Sequence, residues 1–126
     1  MILVDTSIWI DLLNGRRGRA LGPDELVEFA TCVPILQELW QGLKEDPRTA
    51  DLRDALLALP CLGNPLPRDT YLHAADIYRQ GRRIGYTIRS SVDCLIAAIA
   101  IENRVPVWHR DRDFDAIARY TDLAAA

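Results

Sequence analysis

Short apolar runs alternate with longer amphipathic stretches along the 126-residue chain. The runs at residues 2–4, 30–33 and 105–108 are continuous and brief, which predicts buried strands. Between them, apolar residues recur at the three- and four-residue spacing of helices. Predicted helices begin near Thr6, Pro23, Pro34, Pro47, Asp69 or Thr70, and Ser90, and a last helix includes Phe114, Ile117 and Ala118.

This alternation is typical of a parallel sheet covered by helices on both faces. We therefore expect an α/β fold, a three-layer α/β/α sandwich around a central, mainly parallel sheet of about four to five short strands. The proline-rich residues 60–67 predict a loop with at most a short strand, and the arginine-rich residues 15–22 an exposed loop. No repeat or long linker divides the sequence, so residues 1–126 are expected to form a single domain.

Composition and charge narrow the function classes. A net charge of −3 argues weakly against a passive nucleic-acid binder, since such proteins are usually basic. The N-terminus has no basic region ahead of an apolar stretch, and the longest apolar run is about half the length needed to cross a bilayer, so neither secretion nor membrane insertion is expected. The three cysteines are few and far apart, as in a protein of a reducing, cytoplasmic compartment.

Two acidic residues follow predicted strands. Asp5 comes directly after the first strand, and Asp111 comes three residues after Trp108. Because the carboxyl ends of parallel strands share one edge of the sheet, where ligands bind, these two carboxylates are expected to meet.

Two further acids lie in apolar surroundings. Asp93 shares a helical face with Ile96 and Ala97, where an ionised carboxylate is costly unless a partner accompanies it. Glu38 lies between Leu36 and Leu39. Two interpretations remain open: Asp93 is a helix N-cap and Glu38 a surface residue, or both belong to a site with Asp5 and Asp111.

Carboxylates that converge in one cleft repel each other, and a proton or a cation must relieve that repulsion. Oxygen ligands favour Mg²⁺ or Mn²⁺, whereas His73 and His109 do not have the spacing of a zinc site. Such an ion can bind a phosphate, lower the pKa of a water and neutralise developing charge. The four acids therefore predict metal-dependent phosphoryl chemistry.

Four segments resemble, in order, the motifs of PIN-domain ribonucleases. They are residues 5–10 (DTSIWI), residues 35–39 (ILQEL) followed by Gly42, residues 91–98 (SVDCLIAA) and residues 109–114 (HRDRDF). The resemblance spans residues 2 to about 118. Each motif is weak alone, and the third is the most distinctive.

In size the chain is similar to the VapC-type toxins of toxin–antitoxin pairs. The resemblance implies an endoribonuclease dependent on Mg²⁺ or Mn²⁺ that cleaves RNA and arrests growth. It also implies a homodimer held inactive in a hetero-oligomer with a VapB-type antitoxin, whose tail enters the acidic cleft, often with an Arg.

The resemblance also implies roles for the four acids. Asp5 and Asp93 are the principal metal ligands, and Glu38 completes the site directly or through water. Asp111 holds a second ion or orients the attacking water.

Three residues near these acids have open roles. Ser7 either bonds a ligand water or caps the first helix. Asp113 is the alternative fourth acid, although Asp111 aligns with the acid of the family. His109 stands where the family often has Thr, and it either assists at the phosphate or is a local variant.

Arginines near the expected cleft are candidates for RNA phosphate contacts, against the alternative that they are ordinary exposed surface. They form two groups, Arg82, Arg83 and Arg89, and Arg110 with Arg112.

Three other functions fit less well. A receiver-like Mg²⁺-binding signalling domain needs adjacent acids after the first strand and a late Lys, but Asp5 has no acidic neighbour and Lys44 is the sole Lys. A Mg²⁺ phosphohydrolase needs a second Asp two residues after Asp5, where Ser7 stands. A catalytically silent PIN-like interaction module would be expected to lose its acids, and all four are present.

Overall fold

The sheet is centred on its first strand, which pairs with a neighbour on each side. The computed structural model describes residues 1–13 and 23–126, so the predicted loop at residues 15–22 lies outside the described residues. Within those ranges the elements are β1 (Ile2–Val4), α1 (Thr6–Leu13), α2 (Pro23–Leu26), β2 (Phe29–Ala30), α3 (Val33–Gly42), α4 (Pro47–Ala58), α5 (Arg68–Arg83), α6 (Ser91–Asn103), β3 (Val107–Trp108) and α7 (Arg112–Ala118).

The three strands are parallel, in the order β2–β1–β3, and β1 pairs Ile2 with Phe29 and Leu3 with Val107. Leu3 and Val4 point to opposite faces of the sheet, and both are fully buried. Helices therefore cover both faces, and the three-layer prediction is confirmed.

Single parallel bridges extend the sheet beyond β2 and β3. Thr31 pairs with Cys61 on one side, and Val107 pairs with Ala125 on the other. The part of the chain that the structure describes thus has three strands and two isolated bridges, whereas four to five short strands were expected. The bridge at Cys61 agrees with the prediction of at most a short strand within residues 60–67.

Several boundaries differ from the sequence prediction. β2 ends before Val33, because α3 already begins there with a proline in its first turn. β3 is limited to Val107 and Trp108, and α5 begins at Arg68, directly after Pro67. The N-cap of α6 is Ser90, so the interpretation of Asp93 as the cap is wrong.

Helix α6 runs through the core. Its buried residues include Ile96, Ala97, Ala98, Ile99 and Ala100, which lie on every side of the helix, and it packs against α5, α7 and α3. This all-round burial explains why its sequence is apolar on more than one face. Among the described residues, no helix is both long and apolar enough to cross a bilayer.

Candidate active site

The ends of β1 and β3 bring the first and last acidic motifs together. The backbone N–H of Asp5 donates to the carbonyl of Trp108 at 3.0 Å, so the two chain segments leave the sheet side by side. Asp5 is buried, with 4% of its surface exposed, and Asp111 is the N-cap of α7. The structure places both acids at the carboxyl edge of the sheet, as the sequence predicts.

Ser7 holds the Asp5 carboxylate. Asp5 Oδ2 accepts hydrogen bonds from Ser7 Oγ at 2.6 Å and from the Ser7 backbone N–H at 3.1 Å. The second bond satisfies a free N–H of the first turn of α1, so Asp5, rather than Thr6 or Ser7, caps this helix. Ser7 Oγ also accepts from the backbone N–H of Arg110 at 3.3 Å, which connects α1 to the segment that precedes α7.

Asp93 lies in the first turn of α6 and is buried, with 6% of its surface exposed. Its Oδ2 has no hydrogen-bond partner among the described residues, although it is shielded from solvent. Carboxylate oxygens of Asp93, Asp111 and Asp113 lie within 4.8 Å of one another. We call these three residues the carboxylate cluster.

Burial raises the pKa of Asp93 to about 8, and repulsion from Asp111, Asp5, Asp113 and Glu38 acts in the same direction. An ionised carboxylate in this position is therefore unfavourable without compensation. A proton supplies that compensation, and so does a bound cation.

Asp113 has structural partners that Asp93 does not have. Its Oδ2 accepts from the backbone N–H groups of Arg89, at 3.2 Å, and Ser90, at 3.3 Å, and its Oδ1 lies 3.7 Å from Arg89 Nε. Its own N–H donates to Asp111 Oδ1 at 2.9 Å. The structure thus brings both alternatives for the fourth acid beside Asp93, with Asp113 also anchoring the segment before α6.

Glu38 approaches the site from α3. Its Oε1 accepts from Thr6 Oγ1 at 3.3 Å, and its pKa is raised by burial and then by repulsion from Asp5. Glu38 and Asp5 are both outside the carboxylate cluster, but repulsion from Asp5 and Asp111 helps to raise the pKa of Glu38. The sequence prediction placed Thr6 only at the start of a helix and missed this contact.

The arginines differ in their contacts. Arg110 Nε donates to Asp11 Oδ2 at 2.6 Å, and the Asp11 side chain is only 8% exposed. Asp11 was missed by sequence reasoning, although an acid on α1 one turn after Ser7 was a signal that could have found it. Arg89 contacts Asp113, as described, while Arg112 is exposed at the start of α7. Arg82 and Arg83 are exposed at the end of α5.

The residues of the carboxylate cluster fit a divalent ion. Three carboxylates with oxygens within 4.8 Å of one another offer hard oxygen donors, which suit Mg²⁺ or Mn²⁺. The unpartnered Asp93 Oδ2 is the strongest observation, because a buried acceptor of this kind is rare without a ligand. The group contains neither histidine nor cysteine, so its donors do not favour zinc.

Comparison with known proteins points in the same direction. Residues 2–120 match the family model of the PIN domain. The chain is 41% identical over 132 aligned residues to VapC ribonuclease Mb1587 of Mycobacterium bovis, with 100% of this chain and 98% of that protein covered. Ribonuclease VapC11 of Mycobacterium tuberculosis matches with the same identity and coverage. The crystal structure of VapBC-5 from Mycobacterium tuberculosis, of the VapBC family of toxin-antitoxin systems, is similar with a TM-score of 0.62 and 25% identity, covering 98% of this chain and 97% of that one.

The raised pKa of Asp93 predicts how the stability of the metal-free protein depends on pH. Between the unfolded carboxyl pKa, near 4, and about 8, the folded protein retains a proton that the unfolded chain releases. The free energy of unfolding therefore decreases as pH rises through this window. Thermal unfolding in EDTA should show this decrease.

Asp93→Asn should remove this loss of stability at high pH and stabilise the metal-free protein at about pH 8 by a few kcal/mol, since each pKa unit is worth about 1.4 kcal/mol. Asp54→Asn, an exposed change on α4, should follow the wild-type profile. Identical pH profiles for wild type and Asp93→Asn would contradict the assignment of the raised pKa to Asp93.

Proposed function

The chain belongs to the PIN-domain family, and on that basis we propose that it is a metal-dependent endoribonuclease of the VapC type, the toxin of a toxin–antitoxin pair. The observation that carries the proposal is the buried, unpartnered oxygen of Asp93 beside Asp111 and Asp113. The VapC ribonucleases with which this chain shares 41% identity support RNA as the substrate. Growth arrest is then the expected consequence of RNA cleavage.

The contacts of each acid indicate its role at the metal site. We propose that Asp93 and Asp5 hold the ion, Asp5 with one oxygen already oriented by Ser7. Glu38, bonded to Thr6, completes the site directly or through water. Asp111 holds a second ion or orients the attacking water, because its neighbour Asp113 has one oxygen occupied by two backbone N–H groups.

Bound Mg²⁺ or Mn²⁺ supplies positive charge that neutralises the carboxylates and the scissile phosphate, and it lowers the pKa of a water. The protein contributes a fixed geometry. Hydrogen bonds from Ser7 and from backbone N–H groups hold the acidic side chains before substrate arrives. Such pre-organisation reduces the reorganisation needed during the reaction.

RNA cleavage by the purified, antitoxin-free protein should require Mg²⁺ or Mn²⁺ and stop in EDTA. Asp93→Asn should reduce the rate at least about 100-fold, since even indirect partners of a metal ligand typically contribute 10–100-fold. Asp54→Asn is the matched control and should cleave at the wild-type rate. Cleavage that survives chelation, or full activity of Asp93→Asn, would rule out the proposed mechanism.

Arg112 is the sharpest test of RNA contacts near the cluster. A charge reversal at Arg110 would also break the ion pair of Arg110 with the buried Asp11. Arg112 is exposed and follows Asp111 directly. We expect Arg112→Glu to weaken RNA binding and to lower the slope of log K against log salt by about one, as lost phosphate contacts do.

The control for this experiment is Arg68→Glu at the start of α5. Thr70 bonds to Glu102 near the end of α6, so Arg68 lies at the opposite end of α6 from Asp93. Arg68→Glu should leave the binding curve unchanged. Equal salt slopes for wild type and Arg112→Glu would show that Arg112 does not contact phosphate.

An apolar groove between α1 and α3 supports the proposed antitoxin. The groove has a volume of about 290 Å³. Its apolar lining consists of Ile10, Leu13, Leu39 and Leu43, and Glu38 also lines it. We propose that an antitoxin segment places apolar side chains here and a basic residue at Glu38. The resemblance to VapC-type toxins, which implies an antitoxin Arg in the acidic cleft, supports a basic residue at Glu38.

Ile10→Asn should weaken binding of the cognate antitoxin about tenfold or more, because Ile10 offers apolar surface to the groove. Calorimetric titration measures the dissociation constant, and the melting temperature verifies folding. Leu57→Asn, on the exposed surface of α4, is the control. An unchanged dissociation constant for Ile10→Asn would show that the antitoxin does not bind in this groove.

A further inference from the structure

His109 is almost buried beside the carboxylate cluster, with 7% of its side chain exposed. Its Nδ1 accepts a hydrogen bond from the backbone N–H of Asp111 at 3.1 Å. The ring packs against the buried Phe114, with 5.0 Å between ring centroids. Because Nδ1 accepts, the ring proton is on Nε2, which lies 3.8 Å from Asp115 Oδ1.

This contact begins a series of four side-chain-to-backbone hydrogen bonds. The His109 ring accepts from the N–H of Asp111, Asp111 Oδ1 accepts from the N–H of Asp113, and Asp113 Oδ2 accepts from the N–H groups of Arg89 and Ser90. The first two bonds each span two residues, as in an Asx turn. The backbone N–H of Asp111 is therefore held by an acceptor at position 109, and the Asp111 side chain by the N–H of Asp113.

We propose that His109 is a positioning residue that fixes Asp111 against Asp93 for binding of a divalent ion, an inference that rests on the proposed metal-dependent function. A Thr hydroxyl at this position could accept from the same N–H in an ST turn, as the imidazole nitrogen does here. Without an acceptor, the N–H of Asp111 has no bond in this turn, and the start of α7 is less constrained.

Two substitutions separate the acceptor from the bulk of the ring. His109→Asn retains an acceptor for the N–H two residues ahead, whereas His109→Leu retains apolar packing on Phe114 without an acceptor. Mn²⁺ binding to the full chain, measured by calorimetry and by the electron paramagnetic resonance of free Mn²⁺, should weaken about 10–100-fold in His109→Leu. The Mn²⁺ affinity of His109→Asn should stay close to that of the wild type.

Asp115→Asn is the control, because it removes the Nε2 neighbour and leaves the Nδ1 contact intact. It should not change Mn²⁺ affinity. Nitrogen-15 NMR of the neutral His109 ring gives a readout independent of metal and of activity, and it should show the proton on Nε2. A proton on Nδ1 would overturn the inference.

The two proposals fail in different ways. Wild-type affinity for Mn²⁺ in His109→Leu would overturn the positioning role and leave the proposed nuclease intact. Equal weakening in His109→Asn and His109→Leu would also overturn it, since the acceptor would then not be what matters. A wild-type protein that binds no Mn²⁺ would overturn both.

Discussion

Burial of the Asp93 carboxylate is the constraint on which the rest of the site depends. The first turn of α6 favours a negative charge by about 0.3–1 kcal/mol at an exposed site, whereas desolvation of a carboxylate costs several kcal/mol. The pKa of about 8 reflects that imbalance. The fold therefore maintains a position that a proton or a cation must occupy, and the neighbouring acids add to this requirement.

Within residues 1–13 and 23–126, the other acids of this region differ from Asp93 in having hydrogen-bond partners. Ser7 bonds to Asp5, Arg110 to Asp11, and two backbone N–H groups to Asp113. These bonds hold α1, the segment before α6 and the start of α7 in fixed relation. The paired carboxylates thus stabilise the architecture, while the unpaired oxygen of Asp93 remains available for a ligand.

Local pattern was sufficient for most of the fold. The apolar residues of β1 and of α6 predict their elements, because a short continuous run and a long helical repeat are distinct signals. The boundaries of β2 and β3 were wrong because two-residue strands carry too little pattern to delimit. The N-cap of α6 is Ser90 rather than Asp93. The sequence did not distinguish these two candidates, because they lie three residues apart and only the backbone geometry shows which one precedes the helix.

For Asp93, the sequence by itself determined the conflict between a charge and its apolar surroundings, which a proton or a cation must relieve. For Asp5 and Asp111, it determined that both lie at the carboxyl edge of the sheet, because parallel strands end together. Only the tertiary structure decided which acids are paired. Asp11 and Arg110 are 99 residues apart, and Asp113 meets the segment before α6 from α7. Hydrogen bonds of 2.6 to 3.3 Å depend on the register of β1 with β3 and on helix placement, which no local pattern specifies.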